Sequence, residues 1–132
     1  MKNKSLLMFV FAFSAMAMAS CGEKGPLTVQ SVVLSTTEGG AGAKVFPATE
    51  HKIFVKAQLN RMQSNLTGKL VWTAVDTTAG KNIEVYSLDL NSAMANVIDG
   101  NVSLPKDWPT GSYKLDIYLM GALAKTETFT IE

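Results

Sequence analysis

The segment Ser112–Met120, "SYKLDIYLM", alternates apolar and polar residues with a period of two, and that period is the strongest constraint on the fold. Tyr113, Leu115, Ile117 and Leu119 fall on one face, with Lys114, Asp116 and Tyr118 on the other, as in a strand with one side buried. Six further segments are rich in β-branched and aromatic residues and are bounded by Gly, Pro, Asn or Asp. They are Leu27–Ser35, Lys52–Leu59, Lys69–Val75, Asn82–Leu90, Asn101–Leu104 and, after Met120, a last one from about Leu123 to Ile131. Gly121-Ala122 is expected as a two-residue hairpin turn with glycine at its first central position. Asn91–Ile98 reads as a loop with one turn of helix, and Asp99-Gly100 as a turn. About seven strands without a long helix predict an all-β chain, a single antiparallel β-sandwich. A small closed barrel is the alternative architecture.

The first twenty residues follow a different logic. Met1-Lys2-Asn3-Lys4 is basic, Leu6–Phe13 is an uninterrupted apolar run, and no charge follows until Glu23. This is the pattern of a cleaved secretory signal, and it is too short to span a bilayer, which takes about 20 apolar residues. The run ends in Met18-Ala19-Ser20-Cys21, and Cys21 is the only cysteine. These residues resemble the lipobox of bacterial lipoproteins, with Met18 where that family most often has Leu. The resemblance implies a signal peptide over 1–20 and a diacylglycerol group on Cys21. Cys21 and a short spacer would then occupy 21–26, and the strand-rich remainder is the expected β-sandwich domain over 27–132. Cleavage after Ala15-Met16-Ala17 or Ala17-Met18-Ala19 is the alternative, and would leave Cys21 as an unpaired thiol in an oxidising compartment.

Removing residues 1–20 from the 132 leaves 112, the size of one domain. Without Lys2 and Lys4, the 12 basic residues fall to 10 against 11 acidic ones, a balance with no electrostatic footprint for nucleic acid. A single cysteine allows no internal disulfide, so buried apolar surface must hold the fold.

The segment "WPTGSYKLDIYL", with Trp108, Gly111 and Tyr113 in a Trp-x-x-Gly-x-Tyr pattern, together with Trp72, resembles the immunoglobulin-like and fibronectin type III-like sandwiches of extracytoplasmic modules. That resemblance makes Tyr113 a tyrosine corner bonded back to the chain and Trp72 the core tryptophan. The inter-sheet cysteine pair of antibody domains is missing. Trp108 is read as a corner plug, with a loop-tip aromatic as the alternative.

Catalytic and metal-binding constellations are scarce. His51, the only histidine, is expected at an exposed loop end. Its neighbour Glu50 would point to the opposite face if both lay in a strand. Met62, Met94 and Met120 share no spacing with His51 that would suggest copper. Glu38–Lys44, "EGGAGAK", lacks the ending of a phosphate loop and is expected as a mobile loop. Asp89-Leu90-Asn91 and Asp99-Gly100-Asn101 are assigned to turns rather than to calcium.

The expectation is therefore a non-enzymatic, membrane-anchored binding or assembly module of the bacterial envelope, with no cofactor, no metal and no nucleic-acid partner. Its membrane contact is lipid on Cys21, and Tyr118, Met120 and Lys114 form the candidate protein-contact face. By resemblance to the enteric sorting rule, Gly22 after the lipidated cysteine favours the outer membrane. The alternative is a binder of a small molecule, glycan or metal, or a hydrolase inhibitor, in the periplasm or at the cell surface.

Overall fold

A computed structural model describes residues 25–132. The expected signal peptide over 1–20 and Cys21 lie outside the described residues. The elements are β1 (Val29–Ser35), β2 (Val45–Phe46), β3 (Lys52–Thr77), β4 (Gly80–Ser103), β5 (Gly111–Leu119) and β6 (Ala122–Ile131). They form one hydrogen-bonded sheet in the order β1-β3-β5-β6-β2, with β4 on the remaining edge of β3. All neighbours are antiparallel except β2 and β6, where Val45 and Phe46 lie parallel to Thr130 and Ile131.

Six strands replace the expected seven because two pairs of segments are continuous and a short strand, β2, was not expected. Lys52–Leu59 and Lys69–Val75 are the two halves of β3. Asn82–Leu90 and most of Asn101–Leu104 belong to β4. Between the halves of β4, the segment read as a helical turn is strand, with Ser92 opposite Leu66 and Ile98 opposite Ala57. The calcium-like and turn-like triplets at Asp89 and Asp99 are strand as well, with Asp99 opposite Lys56 and Gly100 opposite Val55. Long-range pairing with β3 satisfies the backbone there, and tertiary context overrides the local preference. Gly100 serves close packing, since a Cβ on it would meet Leu70 Cδ1 at 3.0 Å and Leu88 Cδ2 at 3.1 Å.

The long ribbon of β3 and β4 curls the sheet onto itself. The ladder slips between Gln58 and Gln63, which face Val97 and Ala95, so β3 carries extra residues there. Before the slip β3 buries Ile53, Val55, Ala57 and Leu59; after it, Leu66, Leu70, Trp72 and Ala74. The buried set thus changes from odd to even positions, as a bulged strand must do to keep its apolar side on the core. The partner on the other edge changes too, from β1 before the bend to β5 after it.

One core results. Leu34, Phe46 and the buried residues of both halves of β3 join Ile98, Val102, Tyr113, Leu115, Ile117, Phe129 and Ile131 in a single cluster. Phe129 is its aromatic hub. Its ring stacks on Tyr113 at 5.3 Å and meets the edges of Phe46, Trp72 and Trp108 at 6.0, 6.1 and 6.4 Å.

The β5–β6 hairpin also differs from expectation. Leu119 pairs with Ala122, so the central turn residues are Met120 and Gly121 and the strand ends at Leu119. Both have positive φ, 50° and 86°, the backbone a type I′ turn requires.

Candidate functional site

The outer side of β4, β3 and β5 brings Tyr118 into a shallow groove of about 570 Å³. Lys69 of β3 stands in register between Asp89 of β4 and Tyr118 of β5. Thr67, Gly68, Val71, Glu84 and Gly121 complete the lining. An aromatic side chain is therefore set among both signs of charge on a rigid strand face. Lys69 and Glu84 were not singled out in the sequence, and Asp89 only as part of an expected turn, because the three converge only through the pairing of three strands.

The three residues predicted as a contact face divide. Lys114 and Tyr118 share the outer side of β5, both partly exposed. The Lys114 ammonium lies 3.6 Å from Asp116 Oδ2, and Thr126 Oγ1 donates to Asp116 Oδ1 at 2.6 Å. Asp116 is buried beneath these neighbours, so Lys114 partly serves the protein itself. Met120 leaves the strand for the turn, where its N–H donates to the Thr67 carbonyl at 2.8 Å.

At the opposite end, Tyr113 forms the corner expected of it, its hydroxyl donating to the Pro109 carbonyl at 2.5 Å. Burial raises the pKa of the phenol and keeps it a donor. Trp108 is a plug: it is buried, its ring meets Tyr113 edge-on at 5.3 Å, and its backbone N–H donates to the Ala48 carbonyl at 3.0 Å. Trp72 is fully buried.

His51 stands at the exposed loop end, its Nε2 2.8 Å from Asp107 Oδ1, and both side chains are open to solvent. Among the described residues no three His, Cys, Asp or Glu side chains are placed to hold a metal ion.

The glycine-rich segment is fastened at several points. The Gly40 N–H donates to Thr37 O at 2.9 Å, Ala43 N–H to Leu34 O at 2.9 Å, and Lys44 pairs with Glu127. Beside it lies a cleft of about 410 Å³ with Val33 and Phe54 as apolar lining and Glu38, Lys56, Asp99 and Asn101 as polar lining. Lys52 Nζ sits 5.6 Å from the Phe54 ring centroid.

This architecture has counterparts among solved structures. An immunoglobulin-like protein from Pseudomonas aeruginosa superposes with a TM-score of 0.50 at 17% identity, covering 83% of this chain and 94% of that one. The fold is immunoglobulin-like. An alkylpurine DNA glycosylase from Pseudomonas fluorescens, solved bound to DNA containing an abasic site analog, matches with a TM-score of 0.51 at 11% identity. That match covers 89% of this chain but 33% of the glycosylase, so the likeness is to one part of a larger enzyme. No protein-family model and no curated protein sequence matches. At these identities the likeness shows the immunoglobulin-like fold alone, and fold does not carry function.

Proposed function

We propose that the protein is a lipid-anchored envelope lipoprotein whose immunoglobulin-like domain is a non-enzymatic binding or assembly module. The observation that carries this reading is Met18-Ala19-Ser20-Cys21 at the end of a basic-then-apolar leader, five residues before Pro26. Acylation gives the lone cysteine a role, and two or three acyl chains hold a protein durably where one is marginal. Gly22 supports delivery to the outer membrane. The Tyr118 groove supports the binding role, since an aromatic anchor ringed by Lys69, Glu84 and Asp89 has the composition of a specific contact face.

A photoreactive residue at position 118 in living cells tests this, with Cys21→Ser as the untethered control. One dominant protein adduct that is lost in the control is the expected result. A folded, anchored protein that yields no protein adduct from this face would remove Tyr118 from the interface.

A second reading, recognition of a small ligand, is favoured by the cleft beside the glycine-rich segment. Its volume and its combination of Phe54 with carboxylates and an amide are those of a small-molecule site.

A further inference from the structure

The chain enters the fold at one end of the curled sheet and is clamped there. Asn60 Nδ2 donates to the Pro26 carbonyl at 2.9 Å. The Thr28 N–H donates to Asn60 Oδ1 at 2.8 Å, and the Asn60 N–H donates to the Thr28 carbonyl at 3.0 Å. The spacer therefore leaves the domain beside the bend of β3.

Three segments meet at this end: the β3 bend (60–67), the β4 bend (91–96) and the β5–β6 turn with its flanks (119–124). Ser64 pairs with Met94, Leu66 with Ser92, and Met120 bonds to Thr67. Arg61 is the only charged residue in the three segments, whereas charged residues make up 17% of the whole chain. Its guanidinium is turned back on Met62 O and Gln63 Oε1. The same end exposes large apolar side chains: Met62 (55%), Met94 (59%), Met120 (48%) and Leu123 (55%). Three segments with no carboxylate and four exposed apolar tips are unlike the charged outer faces of the strands.

We infer that this end is the face on which the domain sits on a lipid bilayer, with Met62, Met94, Met120 and Leu123 entering the interface. The inference rests on the anchoring at Cys21 proposed above. Four residues separate Cys21 from Pro26, and at full extension the five residue steps span about 17 Å, so the clamped end is the one held nearest the membrane. The absence of acidic residues from the three segments spares them repulsion from lipid phosphates, and Arg61 has the attractive sign. Methionine side chains are flexible enough to settle into a disordered interface. Four side chains alone hold weakly, but the tether converts their insertion into an intramolecular event. A protein docked on this end is the competing occupant.

The test uses mature, lipidated protein reconstituted in phosphatidylethanolamine and phosphatidylglycerol vesicles. Because Cys21 is acylated, Met94→Cys or Val45→Cys provides a single site for an environment-sensitive fluorophore. Val45 is similarly exposed (52%) but pairs with Thr130 at the far end of β6. The expected result is a blue-shifted probe at 94, quenched at least threefold more strongly by bromolipid than the probe at 45. Equal, water-like signals at both sites on a protein whose Cys21 carries diacylglycerol would overturn the seating and leave the anchor standing. A probe at 94 that is wet in pure lipid but shielded in native envelope vesicles would assign the end to a protein partner and overturn the lipid assignment. Mass spectrometry showing unmodified Cys21 would instead overturn the anchor, and with it this orientation.

Discussion

The Tyr113 hydroxyl reaches back four residues to the Pro109 carbonyl, and this bond ties the start of β5 to the loop that carries Trp108. Tyr113→Phe keeps the ring against Phe129 but leaves the carbonyl without its donor, a loss of about 1 kcal/mol. The sign with pH follows from burial, which raises the phenol pKa in the folded state above its unfolded value. The stabilisation is therefore fully present below about pH 10 and is lost as pH rises through the folded pKa. Urea titrations from pH 8 to pH 11 are expected to show stability falling more steeply in the parent than in Tyr113→Phe. Parallel curves would mean that Tyr113 does not govern the alkaline limb.

Gly111, two residues before Tyr113, has φ of 141°, and a Cβ there would lie 2.2 Å from the Asp76 carbonyl oxygen and 2.6 Å from Thr77 Cα. Both obstacles are backbone and cannot rotate aside. Gly111→Ala is expected to cost about 1–3 kcal/mol or more, read as a lower urea midpoint. An unchanged midpoint would show that β5 and β3 can separate at this point without penalty.

Phe129 touches four aromatic rings from three separate stretches of chain, so its removal opens the core where the two halves of the curled sheet meet. Phe129→Ala is expected to lose about 3–5 kcal/mol, while Phe129→Leu loses clearly less because it retains most of the volume. Thermal unfolding of both variants checks the ranking.

The alternation in Ser112–Met120 identified β5, and with Trp108-x-x-Gly111-x-Tyr113 it pointed to the corner and its plug. The continuity of β3 and β4 was not legible, because residues 60–67 and 91–98 lack a sustained period-two alternation and become strand through the pairing of β3 with β4. The glycine of Asp99-Gly100 resembles a turn signal, yet it is there to admit Leu70 and Leu88. The Tyr118 groove was half legible. Tyr118 follows from β5 alone, but Lys69, Glu84 and Asp89 reach it only through the register of two further strands. The β5–β6 turn was misplaced by one residue because its second central position, not its first, is the glycine.

That turn supplies the last prediction. Met120 occupies the first central position with φ of 50°, where an unbranched L-residue is strained and Asn or Gly is at ease. Its side chain is half exposed, and its sulfur lies 3.4 Å from the Thr67 nitrogen, a weak contact that offsets little of that strain. Met120→Asn is therefore expected to raise stability by about 0.5–1 kcal/mol, seen as a higher thermal midpoint. If this end seats on the bilayer, the same substitution should reduce bromolipid quenching of the probe at 94 in the lipidated protein. A gain in stability with no change in quenching would leave Met120 a turn residue of poor fit and limit the seating to Met62, Met94 and Leu123.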